Sequence, residues 1–291
     1  MSMAIEHPTR VAVLAYGRDL RRHREAAVAL LTLREFAPAP AAVIVLTDQP
    51  ARYRWLANEI TIEPLSEATI AAWRGPSADR FRPKIEALRQ LSHDGAHAVL
   101  VDTDTMARGD LSPLVEHLRG GGFLLYEREY RIAAPPRRGD RRLRHEIFGR
   151  DWSGIAADDT SWMWNGGVIG VSGHHRGVAD RALAVFDEMK QASGHFALEQ
   201  LAYSIVFPAY GPVRAANDLF VHYWGNRAGF DRQIARFLSA ALMEGLTPRA
   251  AGARLRAAPI DGPIDGRIPK WQRYVTKLLR IAADDDAERD D

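Results

Sequence analysis

The 291-residue chain contains no cysteine. Disulfides, thiolate nucleophiles, cysteine-ligated zinc and iron–sulfur clusters are therefore excluded. Lysine is nearly absent too: only Lys84, Lys190, Lys270 and Lys277 occur among 39 basic residues, and the rest are arginine. So strong a bias reads as codon preference, and it removes the weight that a single arginine would carry as a phosphate contact. Charge of one sign is also missing. Thirty-nine basic against 37 acidic residues leave +2, too little for bulk attraction to nucleic acid, and no nucleic-acid partner is expected. No apolar run approaches the roughly 18 residues of a membrane span, and the opening MSMAIEHPTR lacks a signal-peptide core. A soluble, cytoplasmic protein is expected.

What is present is an alternation of strand and helix signals, the pattern of an α/β protein with a largely parallel sheet. VAVLAYG (11–17), AAVIVLTD (41–48) and, more weakly, EITIEPL (59–65) read as strands. Residues 19–36 read as a helix that Pro38 and Pro40 stop, and Arg82-Pro83-Lys84 opens another, reaching about Leu91. HAVLVDTDT (97–105) is apolar until it ends in two aspartates. Residues 128–150 hold eight arginines around Pro135-Pro136 and read as an exposed, mobile loop that could close as a lid. WMWNGGVIGVSG (162–173) restores order, with Asn165, Gly166 and Gly167 expected just before a strand. Helices are expected at 177–192 and 197–207, a strand near 219–223, and helix from 232 to 281 with breaks at 259–269. The division expected is a catalytic domain over 1–231 and a helical appendage over 232–291. That appendage ends in Asp284–Asp291, which carries six acids. Within it, residues 270–281 form a basic amphipathic helix that could touch an anionic membrane at its inner face.

The chemistry-bearing signal is Asp102-Thr103-Asp104. Read as the end of a buried strand, it turns both carboxylates to one side, at the edge where open α/β sheets bind ligands. Two carboxylates side by side repel, and a hard divalent cation with oxygen ligands resolves the conflict. Trp164-Asn165-Gly166-Gly167 allows close backbone approach to a ligand, and Glu199-Gln200 can present polar groups from a helix. His222-Tyr-Trp-Gly225-Asn-Arg227 combines a neutral metal ligand, a flexible glycine and a cation suited to phosphate.

In this order, VLVDTDTMARGDLSPLVE (99–116), WNGGVIGV (164–171), EQLAYS (199–204) and HYWGNR (222–227) resemble the retaining glycogenin and lipopolysaccharide galactosyl- and glucosyltransferase family, of GT-A fold. The resemblance runs from Val11 to about Phe230. It implies an α/β, Rossmann-like nucleotide-diphospho-sugar transferase with a mixed, mostly parallel sheet, acting as a hexosyltransferase with a UDP-sugar donor and a carbohydrate or lipid-linked acceptor. By that likeness Asp102, Asp104 and His222 bind Mn²⁺ or Mg²⁺. Tyr16, Asp48, Arg80, Lys84, Asp102, Gly225 and Arg227 bind the nucleotide and its diphosphate. Asn165, Gly166, Gly167, Glu199 and Gln200 face the donor sugar, with Gln200, Asn165 and Asp104 the catalytic set. Arg227 stands where the family has lysine, and Leu201 where many relatives carry an acid. Asp158 and Asp159 are the bases an inverting variant would use. Three other readings compete. A haloacid-dehalogenase phosphatase is disfavoured by Met106. A sugar-nucleotide pyrophosphorylase is disfavoured by Tyr16-Gly17-Arg18-Asp19, which lacks a glycine-rich phosphate loop. A non-catalytic nucleotide-sugar binding module would use the same pocket.

Overall fold

The computed structural model describes residues 7–263. In chain order the elements are β1 (Thr9–Leu14), α1 (Leu20–Phe36), β2 (Ala42–Thr47), β3 (Thr61–Pro64), α2 (Glu67–Arg74), α3 (Arg82–Ser92), β4 (His97–Val101) and β5 (Thr105–Ala107). Then follow α4 (Ser112–Arg119), β6 (Phe123–Arg131), α5 (Arg138–Ile147), β7 (Asp151–Trp152), β8 (Ile155–Ala156), β9 (Trp162–Val171), α6 (Val178–Ala192) and α7 (Leu198–Tyr210). The last are β10 (Val213–Ala215), β11 (Phe220–His222), α8 (Arg227–Met243) and α9 (Pro248–Ala257).

Seven strands form one sheet in the order β10-β6-β9-β4-β1-β2-β3. Only the two junctions made by β9, with β4 and with β6, are antiparallel. This is the mixed, mostly parallel α/β sheet expected from the sequence. Its strands are apolar on both sides because both faces are covered. Period-two alternation sorts each strand's side chains between the two layers. Val11, Val13, Val99 and Val101 pack under α1, α4, α8 and α9, while Ala12, Ala98 and Leu100 face α3, α6 and α7. At roughly 1.5–3 kcal/mol per buried aliphatic side chain, this alternation sets the register of the central strands.

Local signals set the element ends. Asp19 caps α1 by accepting from the Arg21 amide, and Pro83 occupies the first turn of α3. The main departures from the sequence reading lie elsewhere. Residues 128–150 are not a loop: β6 runs to Arg131, α5 follows, and Ile132, Leu143 and Ile147 are buried. The arginines mask this amphipathic pattern because seven of the ten residues in α5 are polar or charged. Asn165, Gly166 and Gly167 lie inside β9 rather than before it. β4 stops at Val101, so Asp102 and Asp104 sit in the turn to β5, where the Thr105 amide donates to the Asp102 carbonyl.

The position 231/232 falls within α8, and α8 and α9 both pack on α1. The amphipathic segment 270–281 and the acidic end lie outside the described residues. Among the described residues no helix is long and apolar enough to cross a membrane.

At the amino end of β4, His97 is 2% exposed and accepts the Gly173 amide at Nδ1 (3.1 Å), with the His7 and His174 rings against it. Burial, then those two imidazoles, lowers its pKa to about 4. An unfolded histidine takes its proton near pH 6.5. Stability should therefore fall as pH drops from about 6.5 towards 4 and then level off in this contribution. Melting midpoints at pH 7 and pH 5 check this: His97→Gln, which keeps an acceptor for Gly173, should show a smaller decrease than the wild type.

Candidate active site and metal centre

The sheet reverses its winding between β1 and β4, which opens a crevice at their carboxyl ends. A cavity of about 490 Å³ occupies it. Tyr16, Arg80 and Lys84 line one part of it, and Asp102, Asp104, Asn165, Glu199, Gln200, His222 and Arg227 line the rest. Four expected site residues are not in this lining. Asp48 spends both carboxylate oxygens on the Gly17 amide (3.0 and 3.1 Å). Gly166 and Gly167 lie behind the side chains they accommodate, and Gly225 sits in a 3₁₀ turn, Trp224–Asn226. Asp158 is also absent from the lining. It caps its own turn through Thr160 and Ser161 and borders a different groove.

His222 reaches the aspartates by a route that the sequence does not reveal. β11 pairs antiparallel with β5 in a separate two-stranded sheet, in the register His222 opposite Thr105, and the Tyr223 amide donates to the Asp104 carbonyl (3.1 Å). This pairing, and not an edge of the main parallel sheet, brings together residues more than a hundred positions apart. One ligand atom each from Asp102, Asp104 and His222 lie within 4.8 Å of one another. His222 Nε2 is 3.4 Å from Asp104 Oδ1 and 3.9 Å from Asp102 Oδ2.

The imidazole is held by Asn165. Its Oδ1 accepts from the Gly167 amide (2.9 Å) and faces His222 Nδ1 (2.9 Å), while its Nδ2 donates to Glu129 (3.1 Å). Both ends of the amide thus have a complementary partner, so its orientation is settled by the network. His222 then carries its proton on Nδ1, and the Nε2 lone pair points at two carboxylates. Three electron-pair donors facing one point repel unless a cation lies among them, and this donor set could hold a divalent metal ion. Burial opposes ionisation of Asp104, and the Arg227 guanidinium 3.5 Å away favours its charged form.

Two cations flank the three ligands. Lys84 Nζ lies 2.8 Å from Asp102, 3.0 Å from the Gly166 carbonyl and 3.2 Å from Glu199. Burial disfavours its charge, yet Asp102 and Glu199 keep its pKa above the usual lysine value. Glu199, 2% exposed, is pushed up to about 7 by burial against the pull of Lys84. On the other side Arg227 pairs through Nε and Nη2 with Glu25 and stands 3.5 Å from Asp104. With Glu199 ionised, Asp102, Asp104, Glu199 and Glu25 outnumber the two cations by two negative charges, the deficit that one divalent ion removes.

Sequence reasoning missed Glu25, a completely buried acid on α1. The signal was available: Glu25, Val28, Ala29 and Thr32 form an inward stripe of α1, and a charge in such a stripe needs a buried partner. It also missed Glu129, Tyr130, Arg137, Asp140 and Phe196, all in the cavity lining. The first four were assigned to the loop reading and so given no position.

No protein-family model and no curated protein matches this chain. Among solved structures it is similar to the apo structure of the WbbM bifunctional glycosyltransferase, with 13% identity and a TM-score of 0.47, covering 74% of this chain and 40% of that one. It is also similar to the apo form of mouse xyloside xylosyltransferase 1, with 14% identity and a TM-score of 0.44, covering 72% of this chain and 84% of that one. The chain therefore spans well under half the length of the first of these. At this distance the functional reading rests on the site itself.

Gly167 offers a direct check of the site. A Cβ there would lie 2.3 Å from His222 Nδ1, so alanine cannot coexist with the Asn165–His222 hydrogen bond. Gly167→Ala should cost about 1–3 kcal/mol of stability through overpacking and weaken Mn²⁺ binding measured by calorimetry, while the far-ultraviolet circular dichroism spectrum stays native.

Proposed function

We propose that this chain is a metal-dependent glycosyltransferase of GT-A type, using a nucleotide-sugar donor, with a UDP-sugar as the first candidate, and a saccharide or other hydroxyl acceptor. The observation that carries the reading is the convergence of Asp102, Asp104 and His222 Nε2 on one point at the carboxyl edge of β4, inside a nucleotide-sized crevice. In this reading those three side chains hold Mn²⁺ or Mg²⁺, and the ion supplies charge neutralisation for the departing diphosphate.

This chain's own groups supply the rest. Lys84 and Arg227 present fixed positive charge where the diphosphate develops its negative charge, and because both are already oriented by carboxylates they need little reorganisation. Arg227 brings a planar fork in place of a lysine point charge, so it can contact two phosphate oxygens at once. Tyr16 and Arg80 form the wall against the nucleoside, with Asp48 shaping the Gly17 turn behind it and Gly225 giving the backbone room near the diphosphate. Asn165 positions His222, and Gln200, which accepts from the Gly166 amide (3.2 Å), borders the donor sugar together with Glu199. Retention of anomeric configuration follows from the family resemblance, and the exposed, self-capped position of Asp158 accords with it. Residues 1–231 are taken as the catalytic part and 232–291 as the helical appendage, with any contact to an inner membrane face confined to 270–281.

Calorimetry of UDP binding tests the metal-centred core of this proposal. Wild type should bind UDP with Mn²⁺ and lose most of that affinity in EDTA. Asp104→Asn should weaken Mn²⁺-dependent binding by about 100-fold, the equivalent of roughly 3 kcal/mol. Equal binding in EDTA, or a variant equal to wild type, overturns the reading. Nucleotide release from a panel of UDP- and GDP-sugars then separates a transferase from a binding module, and the anomer of the product decides retention.

A further inference from the structure

The paired ends of β6 and β9 form a two-sided ribbon. On one side Glu129, Tyr130, Met163 and Asn165 line the cavity at the carboxyl edge of the sheet. On the other side Arg128, Arg131, Trp162 and Trp164 line a separate groove of about 630 Å³, and the two linings share no residue. Strand alternation produces this division, and the register shift between Arg128 and Tyr130 brings Arg131 to the same side as Arg128.

The groove holds two arginines whose charge is uncompensated. Arg128 lies over two indoles, with Cζ 5.3 Å from the Trp162 ring centroid and 5.0 Å from that of Trp164, and Arg131 lies over Trp162 at 4.2 Å. Arg131 is also tethered to the Thr160 carbonyl. Both side chains are exposed, and among the described residues neither has a carboxylate within ion-pairing distance. The one acid in the lining, Asp158, keeps Oδ1 on the Thr160 amide and on the Thr160 and Ser161 hydroxyls of its own turn. A guanidinium stacked on a ring leaves its in-plane N–H groups free for an anion and has little rotamer freedom left to lose. Much of the remaining wall is apolar and open to solvent, with Ile155 and Val213 half-buried and Pro208 and Ala209 exposed. A bare inorganic anion would leave that wall wet, and a neutral ligand would leave the two guanidiniums unpaired.

We propose that this groove binds an anionic amphiphile, a phosphate ester head on an aliphatic body. The head takes N–H donors from both Arg128 and Arg131, which sit on the same indole, and the aliphatic part lies along the apolar wall. A phosphate suits the pair because its terminal oxygens can serve two guanidinium forks, whereas a carboxylate is filled by one. The groove lies apart from Asp102, Asp104 and His222, so the inference stands without the metal-centred reading.

Calorimetry on the full chain tests it with octyl phosphate, kept below its micelle concentration, against inorganic phosphate and octyl glucoside. Octyl phosphate should bind at least about tenfold more tightly than either control. Arg128→Gln and Arg131→Gln should each weaken it by about tenfold, the scale of a hydrogen bond between charged groups. Ala209→Glu, which adds a like charge to the exposed wall, should weaken it similarly. Saturating UDP with Mn²⁺ should leave the affinity for octyl phosphate unchanged. Absence of octyl phosphate binding, equal binding of either control, or indifference to all three substitutions overturns the proposal. Displacement by UDP overturns it too, because it would assign the phosphate to the donor cavity. Failure of the chain to bind UDP bears on the metal site alone, so the two readings fail separately.

Discussion

The hydrogen bond between Asn165 Oδ1 and His222 Nδ1 decides what the rest of the cleft can do. It fixes the tautomer of the imidazole, turns the free nitrogen towards Asp102 and Asp104, and so converts three scattered polar residues into one electron-rich point. The bond depends on close packing: Gly167 leaves room for the ring, and Glu129 holds the far end of the asparagine amide. The same asparagine therefore links the candidate metal site to Glu129 on β6.

Around that point the protein balances charge in layers. Lys84 and Arg227 lie close to the ligand aspartates, and each is itself tied to a buried acid, Glu199 or Glu25. Burying carboxylates with cations is costly unless geometry and hydrogen bonding are good. A net negative remainder beside the three donors favours a cation there. The flanking acids keep the two cations ordered before any ligand arrives, which is the condition for preorganised stabilisation of developing charge.

Much of this was legible in the sequence, because the relevant signals are local. Apolar runs with period-two sorting identified the central strands, Asp19 and Pro83 marked helix starts, and the Asp-x-Asp, Asn-Gly-Gly, Glu-Gln and His-x-x-Gly segments named the polar residues of the cleft. The segment 128–150 was misread for an equally local reason. Arginine-rich composition hides an amphipathic helix, since its three buried positions, Asp140, Leu143 and Ile147, are outnumbered by solvated side chains.

Residue type and periodicity alone determined the α/β class, because burial on both faces of a sheet leaves a pattern in the chain itself, whereas the grouping of Asp102, Asp104 and His222 was implied only by the family resemblance. Only the tertiary structure decided how those donors meet. The two aspartates converge in a turn and not along a strand, and His222 joins them through an antiparallel pairing of β5 with β11 that closes a loop of more than a hundred residues. Glu25 gained its place in the same way, buried against Arg227 from a distant part of the chain. Contacts across such separations depend on how layers pack, and one-dimensional periodicity carries no record of which distant stripe a given stripe will face.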